Sequence, residues 1–156
     1  MSDWKSRLVS DDAGLTRILT AARTVAVLGA KPGVDQPAFY VPAYLAARGY
    51  RILPVNPTLP GRSLFGAPVA PTLADLAEPA DVIEVFRRPE FLPTHAREIL
   101  ALAWRPATVW FQLGIRHDGA AEILARAGML VVQDRCMMPE HRRLIGGIQG
   151  QPFQIA

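Results

Sequence analysis

The segment Thr24-Val25-Ala26-Val27-Leu28-Gly29-Ala30-Lys31-Pro32-Gly33 joins an apolar, β-branched run to a glycine-containing loop, and an amphipathic stretch over residues 37–48 follows it. A continuous apolar run is typical of a strand buried in a parallel sheet, and glycines behind it let the backbone approach a ligand closely. The next helix then points its unpaired N–H groups and positive dipole end at an anion. The segment predicts a phosphate site between a strand and a helix; the alternative is a tight turn that binds nothing.

Strands and helices alternate along the rest of the chain. Apolar runs predict strands over residues 50–55, 68–70, 81–86, 108–113 and 129–133. Helical spacing predicts helices over residues 10–23, 37–48, 72–76, 90–104, 117–127 and 139–144. The internal Pro42 requires a late start of the second helix. Strands joined by helices need crossover connections, so the pattern predicts an α/β fold of three layers, a mostly parallel sheet with helices on both faces.

Length and composition bound the class of protein. The 156 residues are 50% hydrophobic and 20% charged, which suits a single domain over residues 1–156. No apolar run reaches the roughly 20 residues that span a bilayer, and residues 1–5 lack the basic start and apolar centre of a signal peptide. We expect a cytoplasmic protein with no membrane partner.

Charge and cysteine content argue against several kinds of site. The net charge of +3 is modest and the basic residues are scattered, so the chain suits an anionic small molecule better than nucleic acid. The single cysteine, Cys136, has no second cysteine for an internal disulfide or a zinc site. We therefore expect no metal centre.

The loop departs from the fingerprint of NAD-binding proteins in two ways. That fingerprint has the form G-x-G-x-x-G and is followed by an acidic residue at the end of the second strand. Here Lys31 replaces the middle glycine and Asn56 stands in place of the acid. A lysine adds positive charge, and a neutral Asn56 does not repel a phosphate on the ribose. The inferred ligand is a phosphorylated nucleotide with more negative charge than NAD. No G-x-x-x-x-G-K-[ST] run, the motif of P-loop nucleotidases, is present. The sequence therefore does not support a P-loop nucleotidase either.

Five motifs in order resemble the stand-alone CoA-binding domain family, small bacterial and archaeal proteins similar to the N-terminal domain of the succinyl-CoA synthetase α subunit. They are Val27-Leu28-Gly29-Ala30, Tyr50-Arg51-Ile52-Leu53-Pro54-Val55-Asn56-Pro57, Val85-Phe86-Arg87, Trp110-Phe111-Gln112-Leu113-Gly114-Ile115 and Val132-Gln133-Asp134-Arg135-Cys136-Met137-Met138. The resemblance covers residues 24–144, the expected core of the domain. It implies a Rossmann-like fold that binds coenzyme A or an acyl-CoA.

The resemblance also implies a role for each candidate binding residue. The pyrophosphate would contact the loop residues Gly29, Ala30, Lys31, Pro32 and Gly33. The adenosine end would lie against Asn56 and Pro57, and the basic side chain of Arg62 would contact the 3′-phosphate. The neighbouring strand would border the ligand with Phe86, Arg87, Arg88 and Pro89. The pantetheine path would pass Gln112 and Gly114 and bring the ligand's thiol to Cys136.

Cys136 has two interpretations. It is either a small buried apolar residue or a reactive thiol, because Arg135 and a following helix start favour the thiolate. His95 and His117 are predicted on solvated helix surfaces, and His141 is predicted in a short exposed helix.

The sequence leaves three functions open. The first is a CoA or acyl-CoA binder that acts as a carrier, sensor or subunit. The second is an NAD(P)- or other nucleotide-dependent enzyme with a divergent loop, and the third is a nucleotide-responsive interaction module. No complete catalytic constellation is evident, and the phosphohistidine domain of the synthetase is missing, so catalysis is not expected. A homodimer or an unknown protein partner is compatible with each function.

Overall fold

The computed structural model describes residues 3–146. Its strands are β1 (Thr24–Leu28), β2 (Arg51–Val55), β3 (Ser63–Leu64), β4 (Ala67–Pro68), β5 (Val82–Val85), β6 (Thr108–Phe111) and β7 (Leu130–Val132). Its helices are α1 (Asp12–Ala21), α2 (Pro37–Ala47), α3 (Leu92–Leu100), α4 (Asp118–Arg126) and α5 (Met137–His141). No helix within residues 3–146 is long and apolar enough to cross a bilayer.

A five-stranded parallel sheet in the order β2-β1-β5-β6-β7 forms the middle layer. The chain moves from β1 to β2 on one side and then returns to β5 on the other, so the strand order reverses between β1 and β5. Ligands of open α/β sheets bind beyond the carboxyl ends of the strands at such a reversal. Leu28 of β1 pairs with Val85 of β5, and the residues after these two positions therefore border the expected site.

Alternate side chains of the strands enter two separate cores, as the pleat of a sheet requires. Ala26 and Leu28 pack into the core that α3 and α4 cover. Val25, Val27 and Trp110 pack into the core on the opposite face, under α1, α2 and α5. The predicted three-layer α/β arrangement is confirmed.

The start of α2 differs from the sequence prediction. The helix begins at Pro37 and includes Pro42, rather than starting late. Proline has no amide proton, so the carbonyl four residues earlier in the helix loses its usual donor. That carbonyl, on Ala38, instead accepts a hydrogen bond from the Lys31 amide at 3.3 Å. The loop after β1 thus supplies the missing donor and makes the proline tolerable inside the helix.

Other elements differ from the sequence prediction in the proline-rich segment and in the C-terminal part of the described range. The predicted strand at residues 68–70 is an antiparallel β3–β4 hairpin, and Ala70 pairs with Val55 in a single bridge. The predicted helix at residues 72–76 is a 3-10 turn, Leu73–Asp75, and the one at residues 139–144 is α5 followed by a π-helical turn, Arg142–Gly146. Residues 147–156 lie outside the described range.

Candidate functional site

A crevice over the carboxyl ends of β1 and β5 consists of two adjoining cavities. The first, of about 470 Å³, is here named the apolar cavity; it is lined by Gln36, Pro37, Ala38, Tyr40, Pro89, Gln112, Leu113, Gly114, Ile115 and Cys136. The second, of about 690 Å³, is named the polar cavity; it is lined by Leu28, Gly29, Asn56, Pro57, Thr58, Pro71, Thr72, Phe91, His95 and Glu98. Both cavities are also lined by Lys31, Phe86, Arg87 and Arg88. Three cationic side chains therefore stand at the junction of the cavities.

Most of the predicted binding residues meet in this crevice. The exceptions, which line neither cavity, are Ala30, Pro32, Gly33 and Arg62. Arg62 is exposed and precedes β3, and its backbone bonds to Leu59 and Val69 of the same proline-rich segment. The structure therefore places Arg62 with the β3–β4 hairpin, and the cationic side chains that do line the crevice come from the loops after β1 and β5.

Gly29, which follows β1, lies close to the backbone that follows the neighbouring strand β5. It has a φ of +93°, and a Cβ added there would lie 2.6 Å from the carbonyl oxygen of Phe86. Its amide and that of Ala30 both donate to the carbonyl of Val55, at 2.9 and 3.2 Å. Only glycine satisfies this conformation and this spacing, because any side chain would collide with backbone atoms that cannot move independently.

The amides of the loop over residues 29–33 are engaged within the protein. Lys31 donates to Ala38, and the Gly33 amide donates to Gln36 Oε1 at 3.1 Å. A Cβ on Gly33 would meet only that Gln36 side chain, at 2.5 Å. The exposed Lys31 side chain is therefore what the loop offers to an anionic ligand in this conformation.

Asn56 links two loops by using both ends of its amide group. Its Nδ2 donates to the carbonyl oxygen of Ala30 at 2.7 Å. Its Oδ1 accepts from the amide and the hydroxyl of Thr58, at 2.8 and 2.7 Å. An aspartate could not donate to Ala30, so the geometry gives a structural reason for asparagine where an NAD-binding protein has an acid.

Arg87 and Arg88 project from the loop that follows β5. Their guanidinium carbons lie 4.7 and 5.4 Å from the centre of the Phe91 ring, within the range of cation–π attraction. Arg87 Nε also donates to His95 Nε2 at 3.1 Å. His95 is half-buried in the polar cavity with this partner, so the prediction of a solvated surface histidine is wrong.

Gln112, which follows β6, and Cys136, which precedes α5, both line the apolar cavity. The Gln112 side chain is 3% exposed and its Oε1 accepts from the Met137 amide at 3.1 Å. Partial burial raises the pKa of the half-buried Cys136 thiol. Hydrogen bonds with Gln112 and with the Met138 backbone lower this pKa by less than burial raises it, and the still smaller effects of Glu84 and Glu140 raise it.

The Arg135 guanidinium does not activate Cys136 as the sequence suggested. Its two terminal nitrogens lie 3.5 Å from Glu140 Oε1 and 3.0 Å from the carbonyl of Ser10. Of the two interpretations of Cys136, the reactive thiol requires a lowered pKa, whereas partial burial raises the pKa of this thiol.

Glu84 was not singled out by the sequence analysis. It is 0% exposed in the middle of β5, between Val27 and Trp110 in register. Neither carboxyl oxygen has a hydrogen-bond partner among residues 3–146. Burial raises the pKa of this carboxyl to about 8. A charged residue inside an apolar strand is the sequence signal that could have drawn attention to it.

The other two histidines have structural partners. His141 is 2% exposed, and its Nδ1 lies 3.0 Å from the Tyr44 hydroxyl, so the predicted exposed position is wrong. Burial lowers the pKa of its imidazole. His117 caps α4 by accepting the Ala120 amide at 3.0 Å. Neither residue lines the crevice.

Comparison with known proteins gives relatives that this chain matches over nearly their whole length. The uncharacterized protein YneT of Bacillus subtilis (strain 168) is 31% identical over 129 residues, which is 83% of this chain and 93% of that protein. A solved Thermus thermophilus protein, cell-free ID.343, is 49% identical with a TM-score of 0.83, over 87% of this chain and all of that one (100%). A hypothetical protein from Pyrococcus horikoshii OT3 is 30% identical with a TM-score of 0.80, over 88% of this chain and 94% of that one.

These likenesses confirm the Rossmann-like α/β fold. The family model described as CoA binding domain matches residues 23–142, which is nearly the range of the resemblance seen in the sequence motifs. The predicted relationship to stand-alone CoA-binding domains is thereby confirmed, and the chain belongs to the CoA binding domain family.

Proposed function

We propose that the protein binds CoA or an acyl-CoA in the crevice and acts as a carrier, sensor or subunit rather than as a complete enzyme. The observation that carries the proposal is the position of Lys31, Arg87 and Arg88, which line both cavities at their junction. CoA has its diphosphate between a polar nucleotide and a long pantetheine arm. A cationic junction between a polar and an apolar cavity matches that order of chemical groups.

The two cavities differ in the way the two halves of CoA differ. Asn56, Thr58 and Thr72 give the polar cavity groups that suit a ribose and a base. Pro37, Tyr40, Leu113 and Ile115 line the apolar cavity, which suits the pantetheine arm. Family membership supports the same class of ligand.

The thiol end of the ligand would lie toward Gln112 and Cys136, at the end of the apolar cavity. Gln112 is held by the Met137 amide and so keeps a fixed orientation beside the pantetheine path. Cys136 is held mainly as the neutral thiol by partial burial. The arrangement favours reversible binding of the thiol or acyl end over rapid covalent chemistry.

Ligand selectivity in thermal unfolding tests the proposal. A ligand at about 100 times its dissociation constant adds about 2.7 kcal/mol to the unfolding free energy, or roughly 5–10 °C in melting temperature for a chain of this size. We expect CoA to give such a shift and NAD to give none at equal concentration. Native mass spectrometry of freshly purified protein should retain a bound CoA species. A larger shift with NAD or NADP than with CoA would overturn the assignment.

A further inference from the structure

Three hydrogen-bonded side chains form one wall of the polar cavity. Arg87 Nε donates to His95 Nε2 at 3.1 Å, and His95 Nδ1 lies 2.9 Å from Glu98 Oε1. Arg87 belongs to the loop after β5, whereas His95 and Glu98 are one turn apart on α3. The side chains of His95 and Glu98 are only 16% and 29% exposed, so this chain of contacts is partly shielded from water.

The partners of His95 define its tautomer. Arginine nitrogen atoms only donate hydrogen bonds, so Nε2 of His95 must carry the lone pair that accepts from Arg87. In a neutral ring the proton is then on Nδ1, which donates it to the Glu98 carboxylate. A doubly protonated imidazole has no acceptor, and the Arg87–His95 hydrogen bond cannot exist in that state.

These contacts hold one side of the Arg87 guanidinium and leave the other side open. Nε is bound to His95, and the Phe91 ring lies 4.7 Å from the guanidinium carbon. Among residues 3–146, the two terminal NH₂ groups of Arg87 have no hydrogen-bond acceptor. A planar guanidinium held in this way is suited to bind two oxygen atoms of a phosphate at once.

Taking the proposed function as its basis, we infer that Glu98 and His95 are positioning residues that hold Arg87 for the diphosphate of CoA. The diphosphate is assigned because Arg87 lines both cavities and this group lies between the nucleotide and the pantetheine arm. Loss of the Arg87–His95 hydrogen bond should therefore weaken the binding of CoA.

The charged groups that face His95 come from three sides. Arg87 and Arg88 belong to the loop after β5, Glu98 shares α3 with His95, and Lys31 stands across the cavity. The side of the cavity after β2 brings only uncharged groups, those of Asn56, Thr58 and Thr72. Arg88 has its own carboxylate neighbour, since its Nε lies 4.0 Å from Glu90. Glu98 is therefore the carboxylate in direct contact with the ring.

Calorimetric titration of the full chain and its variants with CoA tests the inference. His95→Gln keeps an acceptor for Arg87 and a donor for Glu98, so this conservative variant should bind CoA as the wild type does.

Two further variants separate positioning from folding. His95→Phe removes the acceptor and should lower CoA affinity about tenfold, with an unchanged far-ultraviolet circular dichroism spectrum. His117→Asn keeps the cap of α4 and should retain the wild-type affinity, because His117 does not line the crevice. Equal loss of affinity in His95→Gln and His95→Phe, or wild-type affinity in His95→Phe, would overturn the inference.

The choice of probe distinguishes this inference from the proposed function. Dephospho-CoA lacks the 3′-phosphate and keeps the diphosphate, so it should show the same dependence on His95; loss of that dependence would overturn the diphosphate assignment. If CoA does not bind but inorganic diphosphate binds with the same dependence on His95, the proposed function fails and the positioning role of His95 stands. If neither binds, both are wrong.

Imidazole ¹⁵N spectra of the free protein should show the proton of His95 on Nδ1, and a proton on Nε2 would contradict the hydrogen-bond chain.

Discussion

The amide of Lys31 donates to the carbonyl oxygen of Ala38, which the missing amide proton of Pro42 leaves without its helical donor. One proline inside a helix thus leaves a carbonyl acceptor that the loop after β1 uses. The contact joins the loop after β1 to the first turn of α2 and occupies one of the loop's amides. We therefore expect binding of an anion there to depend on cationic side chains more than on the backbone.

Replacing Pro42 by alanine tests this coupling. An alanine amide would donate to Ala38 within α2 and would compete with the Lys31 amide for that carbonyl oxygen. We expect hydrogen exchange at the Lys31 amide to become about fivefold faster or more, which corresponds to a hydrogen bond that contributes about 1 kcal/mol or more. Pro93→Ala, in the first turn of α3, is the matched control and should leave exchange at Lys31 unchanged. Equal exchange in both variants would mean that Pro42 does not govern the loop.

Two glycines of the loop should differ sharply in their tolerance of alanine. Gly29→Ala places a Cβ against the Phe86 carbonyl at a φ of +93° and should lower the unfolding free energy by about 1–3 kcal/mol. Gly33→Ala meets only the movable Gln36 side chain and should cost less than about 1 kcal/mol. Urea unfolding of the two variants provides the comparison. Equal losses would contradict the close approach assigned to Gly29.

The hydrogen bonds of Asn56 predict the effect of an acid at its position. Asn56→Asp removes the donor to Ala30 and sets a carboxylate against that carbonyl oxygen. We expect a loss of about 1–3 kcal/mol in unfolding free energy and weaker CoA binding, with no gain in NAD binding. Thermal shifts with both ligands measure this. A variant that gains NAD affinity at wild-type stability would show that Asn56 acts through charge alone.

The fold and the position of the crevice could be predicted because both follow from patterns within single segments. Apolar runs identify the parallel strands, and residues after β1, β2, β5 and β6 necessarily collect at one edge of the sheet. The roles of single residues depended on contacts between segments. The burial of Glu84 requires its neighbours Val27 and Trp110 in register, and the place of Arg62 depends on a hairpin in a proline-rich segment where periodicity gives no signal.

Histidines were the least predictable residues for a physical reason. Helical spacing places His95 and His141 on helices, but burial of an imidazole depends on whether a partner reaches it. Arg87 reaches His95 from the preceding loop, and Tyr44 reaches His141 from α2. These partners form hydrogen bonds with imidazole groups that would otherwise need water. No pattern within one helix predicts such partners, because they come from other segments.

The raised pKa of Cys136 predicts slow disulfide exchange with CoA disulfide at neutral pH. The thiolate attacks one sulfur of CoA disulfide, the sulfur–sulfur bond breaks, one CoA leaves as its thiolate, and a Cys136–CoA mixed disulfide remains. Only the thiolate reacts, so the rate should rise steeply with pH. Intact-mass time courses at several pH values measure it, with Cys136→Ser as the unreactive control.

Glu140 offers a second check on the same thiol. Its carboxylate raises the pKa of Cys136, so Glu140→Gln should speed formation of the CoA adduct at neutral pH. Glu122→Gln removes an exposed carboxylate on α4 and should leave the rate unchanged. Fast labelling of the wild type at neutral pH would contradict the raised pKa, and labelling only after unfolding would show that the apolar cavity does not admit the ligand's sulfur.

Glu84 predicts a dependence of stability on pH. Its carboxyl ionises near 4.5 in the unfolded chain, while burial raises its pKa in the folded protein to about 8. Between these values the folded state keeps a proton that the unfolded state has lost, so raising the pH favours unfolding. The stabilisation is complete below pH 4.5 and is lost as the pH rises to about 8, at up to about 1.4 kcal/mol per pH unit.

Glu84→Gln removes this titration, because the amide is neutral at every pH. The variant should therefore gain unfolding free energy relative to the wild type as the pH rises from 4.5 to about 8, whatever its stability at the acid end. Urea unfolding at intervals across this range gives the two profiles, and Glu122→Gln, which removes an exposed carboxylate instead, should follow the wild type. Parallel profiles of the wild type and Glu84→Gln would mean that Glu84 is already ionised in the folded protein, with a partner that compensates its charge.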